Sequence, residues 1–244
     1  MSKQLNNLKN IILKILRKTG IEVIGLSRRP SLDGMNNRFS YQSKLYNFGI
    51  KAGEEVLDVG SGGDPFPYAT MLVDLHTQPT NHRSAELKTN GKPFKLADIN
   101  DLPFENKSYD FVYCSHVLEH VDDPIRACAE LVRVGRRGYV ETPSLMTDAL
   151  FCWADGMHKW FTVVIGDRLV FFEYDQRLIQ GVRNGYWQES VFSKRQHPLQ
   201  DIFFKNQEIF NNGLMWEGYF KCTVFRQDGS IQHGGDIDFV SIKS

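Results

Sequence analysis

The residues best equipped for chemistry fall in a few short runs. Glu55-Val56-Leu57-Asp58-Val59-Gly60-Ser61-Gly62-Gly63-Asp64-Pro65 is an apolar stretch that ends in an acid and then turns through glycines. Glycines adopt positive φ without a Cβ clash and let the backbone approach a bound ligand. A dinucleotide site would read G-x-G-x-x-G and present a helix N-terminus to a pyrophosphate. Here Pro65 stands at the third glycine position, and Asp64 would repel a diphosphate. The loop therefore suits a cationic ligand that carries no phosphate. Met71-Leu72-Val73-Asp74-Leu75 and Ala97-Asp98-Ile99 bring further acids to the ends of apolar runs.

The titratable groups gather later in the chain. Ser115-His116-Val117-Leu118-Glu119-His120 leads into Val121-Asp122-Asp123-Pro124, Glu141 closes the run Gly138-Tyr139-Val140-Glu141, and His158 lies in Asp155-Gly156-Met157-His158-Lys159-Trp160. His116-x-x-Glu119-His120 spells the inverted zinc-protease motif. That motif belongs in mid-helix, whereas His116 follows a strand, and a metallohydrolase would leave the glycine loop without a purpose.

The elements that must position these groups follow from periodicity. Short β-rich runs occur at Glu55–Gly60, Met71–Leu75, Lys95–Asp98, Tyr109–Ser115 and Gly138–Thr142. Asp122–Val134 has helical spacing (Ile125, Cys128, Leu131, Val132), and Pro124 suits a first turn. Strands alternating with helices predict an α/β fold with a mostly parallel sheet and helices on both faces. Ligands of such sheets bind beyond the carboxyl ends of the strands, and every motif above falls at such an end. From Phe151 onward the chain is rich in aromatic residues. Leu169–Tyr174, Phe220–Arg226 and Ile237–Ile242 read as strands that complete the sheet and cover an acceptor pocket.

Asp58-x-Gly60-x-Gly62, followed by Asp74, by Asp98-Ile99 and by the long run Leu102–Pro124, resembles the motif series of class I S-adenosylmethionine-dependent methyltransferases, over residues 50–145. The resemblance implies a Rossmann-like, seven-stranded sheet and S-adenosylmethionine as cofactor. It implies that Asp58, Gly60, Ser61 and Gly62 hold the methionine portion. Asp74 and Leu75 would meet the ribose, a carboxylate being able to accept from two vicinal hydroxyls. Asp98 and Ile99 would meet the adenine, Ser115 would also bind the cofactor, and His116 would sit beside its reactive end. Only eleven residues separate Gly62 from Asp74. The helix usual there is thus shortened or replaced by a Pro65-Phe66-Pro67 turn.

An alcohol acceptor must lose its proton, which calls for a base or a metal near the methyl group. His116, Glu141 and His158 are the candidate catalytic residues, each with packing as its bland alternative. The His116–His120 run with His158 also resembles the magnesium-binding arrangement of some O-methyltransferases. It departs from it at His116, where magnesium would prefer an oxygen donor, and no metal is expected. A non-catalytic binding protein of the same fold is the rival from another class. The expected acceptor is a small polar molecule or a sugar unit, for which Trp153, Trp160 and Trp187 offer stacking faces or core volume.

Lysine plus arginine and aspartate plus glutamate both number 29 in 244 residues. No basic field favours nucleic acid, which is not expected as a partner. Residues 1–30 nonetheless hold seven basic side chains against Glu22, with Leu5, Leu8, Ile12, Ile15 and Leu16 on one helical face. Such a helix either covers the core at 31–150 or lets residues 1–20 rest on an anionic membrane. Four cysteines without paired spacing fit reduced thiols and a cytoplasmic location. The aromatic-rich part runs from 151 to 244.

Overall fold

A computed structural model describes residues 38–80, 86–151, 158–175, 202–203 and 205–234. The basic N-terminal helix, Trp153, Trp187 and the strand expected at 237–242 lie outside the described residues. Among the described residues no helix is long and apolar enough to cross a membrane.

Helix α1 (Arg38–Leu45) precedes β1 (Val56–Val59), β2 (Met71–Asp74), β3 (Phe94–Leu96) and β4 (Tyr109–Ser115). Helix α2 (Pro124–Val134) runs into β5 (Gly135–Pro143), followed by α3 (Leu145–Phe151), β6 (Trp160–Ile165) and β7 (Arg168–Glu173). A short α4 (Gln207–Phe210), β8 (Asn211–Glu217), β9 (Lys221–Phe225) and β10 (Ile231–Gly234) complete the described chain.

The main sheet has the order β3-β2-β1-β4-β5-β8. Its first five strands are parallel, and β8 returns antiparallel against β5. Strand order reverses between β1 and β4, so their carboxyl ends, with Val59 opposite Cys114, flank a natural ligand crevice. The expected count of seven strands is corrected to six among the described residues. After β8 the chain turns at Gly218, with φ of 76°, and β9 pairs with β7 instead of extending the main sheet. The second sheet, β10-β9-β7-β6, has four strands.

Alternation along each strand sends side chains to opposite faces. One face, with Leu57, Val59, Val112, Cys114, Val140 and Trp216, shares a core with Ala127, Cys128 and Leu131 of α2 and with Leu169, Phe171 and Val224 of the second sheet. The opposite face, with Val56, Leu72, Phe111, Tyr113 and Tyr139, packs on Phe39 of α1, Phe48 and Phe66. Helices thus cover both faces. Helix α2 starts where the sequence predicts: the Asp123 carboxylate accepts from the Arg126 N–H at 3.0 Å, and Pro124 fills the first turn.

No helix links β1 to β2, in agreement with the short spacing. Phe66 takes the place of its apolar face. The ring is fully buried and stacks on Tyr113 at 4.1 Å with planes 4° apart.

Candidate active site

The glycine turn grows directly out of β1. The N–H groups of Gly60 and Ser61 both donate to the Val73 carbonyl, at 2.8 and 3.2 Å, which ties the loop to the end of β2. Gly60 and Gly62 have φ of 75° and 57°, the left-handed region that glycine enters without strain. A Cβ on Gly60 would lie 2.2 Å from a Val117 methyl, so the loop packs tightly against the turn after β4. The Ser61 hydroxyl is buried and has no hydrogen-bond partner. An orphaned hydroxyl in a glycine cradle fits a polar ligand seated on the loop.

Asp58 is fully buried and accepts from the Phe66 N–H at 2.7 Å, bracing the loop from beneath. Asp74, at the tip of β2, accepts from the Gly62 and His76 N–H groups at 2.9 and 2.8 Å. It thereby joins the glycine loop to the neighbouring strand end. Asp98, beyond β3, is exposed and accepts from the Asn100 backbone and side chain at 2.8 and 3.0 Å. Ile99 is buried at 6% exposure within the core, while Leu75 is 51% exposed. The adjacency of β3, β2, β1 and β4 puts Asp98, Asp74, Gly60, Ser61, Gly62 and Ser115 along one edge of the sheet.

Beside them, β4 ends at His116, whose φ of 58° is left-handed, an uncommon conformation that non-glycine residues adopt chiefly in functional or turn settings. Its backbone N–H donates to the Glu141 carbonyl at 2.8 Å. Its Nε2 is 3.3 Å from Glu141 Oε1 and its Nδ1 3.6 Å from Glu119 Oε1, with about a third of the side chain exposed. Burial opposes a charge on this ring, but hydrogen bonds and attraction from Glu119 and Glu141 prevail and raise its pKa to about 9. Solvent at the exposed edge moderates that attraction.

Glu141 is 1% exposed and is an acceptor for a whole network. Gln42 Nε2 and Ser115 Oγ donate to Oε1 at 2.8 and 3.2 Å, and the Tyr139 hydroxyl donates to Oε2 at 2.5 Å. Tyr113 donates in turn to Gln42 Oε1 at 2.9 Å. Burial favours the neutral acid, but His116 and Tyr139 outweigh it and hold the carboxyl below the ordinary glutamate value. So surrounded, Glu141 holds the His116 ring through its Oε1. Gln42 lies 99 positions from Glu141, and no sequence pattern announces it.

The run His116–His120 forms a turn ahead of α2, not a helix. The Glu119 carbonyl accepts from Lys159 and Trp160 N–H groups at 2.8 and 3.3 Å, which docks the start of β6 on the turn. His158 thereby reaches His120, ring centroids 4.8 Å apart. Its Nδ1 is 2.7 Å from Asp148 Oδ1, and Asp148 Oδ2 accepts from the Tyr174 hydroxyl at 2.5 Å. Trp160 is 2% exposed with its indole N–H on the Val121 carbonyl, so it is core and offers no face to a sugar. A groove of about 390 Å³ lined by Phe48, Arg137 and Trp216 lies at the start of β5, the opposite end from these strand tips.

Residues 57–140 match the family model of a methyltransferase domain. The chain is 37% identical over 103 residues to the ubiquinone biosynthesis O-methyltransferase of Vibrio parahaemolyticus, covering 37% of this chain and 44% of that one. It is 33% identical over 95 residues to the demethylmenaquinone methyltransferase of Renibacterium salmoninarum, covering 37% and 40%. The chain thus spans less than half the length of the curated relatives it matches. An S-adenosylmethionine-dependent methyltransferase of Mesorhizobium loti aligns with a TM-score of 0.37 at 16% identity, over 59% of this chain and 68% of that one.

Proposed function

We propose that this chain, whose residues 57–140 form a class I S-adenosylmethionine-dependent methyltransferase domain, transfers a methyl group to an oxygen of a small-molecule acceptor. The observation that carries the reading is the glycine loop that leaves β1, tied to the tip of β2 by Gly62 N–H donating to Asp74 and packed at Gly60 against Val117 beyond β4. Ser61 and Gly62 would hold the methionine portion, Asp74 the ribose and Asp98 the adenine side, while Asp58 braces the loop. The cofactor supplies an activated methyl on sulfur. The protein's share is alignment of the acceptor and exclusion of water.

His116 stands at the reacting end, and Glu141 fixes its ring. In this reading His116 is the group that touches the acceptor oxygen, and Glu141 is a positioning residue. One relative carries an O-methyltransferase name, which supports oxygen as the acceptor atom. A small polar molecule or a sugar unit fits a cleft edged by His116 and acids. The balanced charge speaks against nucleic acid, and the basic face of residues 1–20 suits peripheral contact with a membrane surface.

Calorimetric titration with S-adenosylmethionine and with its demethylated product tests the reading. Micromolar-range affinity is expected, falling about ten- to a hundredfold in Asp74→Ala, the loss of one or two hydrogen bonds to a charged group. Lack of measurable binding to both, or indifference to the substitution, would refute it. Binding without any methyl transfer across an acceptor panel would favour the rival reading, a cofactor-binding protein without turnover.

A further inference from the structure

We propose that Gln42 of α1 is a positioning residue for methyl transfer: its side-chain amide fixes the Glu141 oxygen that in turn holds the His116 ring. The effect on turnover rests on the methyl-transfer reading; the hydrogen-bonded chain of side chains stands without it.

The residue type is the first observation. Gln42 is fully buried, on a helix whose Phe39 joins the aromatic cluster of Phe48, Phe66, Phe111, Tyr113 and Tyr139. An apolar side chain of similar length would fill that place with no polar group to satisfy. An amide buried there is costly unless both of its ends find partners. Both do. The Tyr113 hydroxyl donates to Oε1 at 2.9 Å, and Nε2 donates to Glu141 Oε1 at 2.8 Å.

The direction of the amide is forced. An ionised carboxylate only accepts, so the end that faces Glu141 is the NH₂ group. Oε1 is thereby turned to Tyr113, which has a proton to give. A flipped amide would set its oxygen against the carboxylate and meet repulsion at both ends.

The second observation is the order of contacts around Glu141. Its Oε1 meets Gln42 Nε2 at 2.8 Å, Ser115 Oγ at 3.2 Å and His116 Nε2 at 3.3 Å. Gln42 makes the shortest of the three. Ser115 ends β4, His116 follows it, and Tyr139, which holds Oε2 at 2.5 Å, shares β5 with Glu141. Of these partners Gln42 alone comes from outside the sheet. Without it the carboxylate is free to turn about its Tyr139 anchor and carry the His116 ring with it. A misplacement of about 1 Å at a reacting group is enough to cost about a hundredfold in rate.

Three variants of the full chain test this: Gln42→Met, Tyr113→Phe and the two together. The first keeps the volume and removes the amide. The second removes only the hydroxyl that aligns it, and serves if the first does not fold. The His116 Nε2–H proton, assigned by its loss in His116→Ala, is followed by NMR. Turnover is followed on whichever member of an acceptor panel is methylated. In Gln42→Met the proton signal should move upfield and exchange faster with water, and kcat should fall about 10- to 100-fold. KM for the acceptor and affinity for S-adenosylhomocysteine should stay as they were. Tyr113→Phe should act in the same direction and add little to Gln42→Met, since the two belong to one chain of bonds. An unmoved signal or an unchanged kcat in Gln42→Met would overturn the proposal, as would full additivity in the double variant. A signal that moves in a chain that methylates no acceptor would refute the methyl-transfer reading, and with it the part of Gln42 in turnover. A signal that stays in place in a chain that does methylate would refute Gln42 alone.

Discussion

At the scale of single residues, Gly60 is where backbone and cofactor cradle meet. Its φ of 75° and the 2.2 Å approach of a Val117 methyl to any added Cβ make two separate demands. Gly60→Ala should destabilise the protein by about 1–3 kcal/mol through strain and overpacking, and should weaken the cofactor's binding as well. Adding Val117→Ala should recover part of the stability, since it removes the clash and leaves the φ penalty. Denaturant unfolding of the double-mutant cycle checks this; strict additivity would mean that the contact is absent.

Glu141 makes the second demand at this scale. Its carboxyl is held below the ordinary value by His116 and Tyr139 against the opposing effect of burial. The stabilisation is therefore present above the unfolded carboxylate's pKa, about 4.3, and is lost as pH falls through the lower folded value. Glu141→Gln should cost about 3 kcal/mol near neutral pH, because Gln42, Ser115 and Tyr139 lose a charged acceptor. It should also flatten the acid limb of stability below about pH 4. A limb as steep as that of the unsubstituted chain would assign the titration to another group.

Among the elements, the segment between β1 and β2 is the least ordinary. A helix there would bury an apolar face on the sheet; instead Phe66 and Ala69 do so, with the Phe66 ring stacked on Tyr113 and touching Phe39 and Phe48. Its N–H holds Asp58 and so connects core packing to the floor of the glycine loop. Phe66→Ala should cost about 3–5 kcal/mol and should also reduce affinity for S-adenosylmethionine. Calorimetric binding on the folded variant would check the coupling, and unaltered affinity would confine Phe66 to the core. Helix α1 acts in a similar way at longer range, since its Gln42 links Tyr113 to Glu141.

For the whole molecule, the main sheet and the second sheet share one core through α2, with Leu57, Val112 and Trp216 on one side and Leu169, Phe171 and Val224 on the other. Unfolding should therefore be a single transition in which both sheets are lost together. Phe171→Ala should lower the midpoint by about 3–5 kcal/mol of stability without splitting the transition. Near- and far-ultraviolet dichroism that separate on heating would show the second sheet melting alone.

Much of this architecture was legible in one dimension. Local rules place β1 through β5 and α2: apolar runs bounded by glycines, the Asp123-Pro124 helix start, and the alternation that demands a parallel sheet. The acids and glycines at the strand ends were equally visible, because a parallel sheet puts all such ends on one edge whatever the packing. The return of β9 to β7, the Gln42–Glu141 link across 99 positions and the docking of His158 on the Glu119 turn were not visible. These depend on which buried surfaces meet, a long-range outcome of packing that carries no local period. Only the folded chain decided that Glu141 serves His116 and that Asp148 stands behind His158.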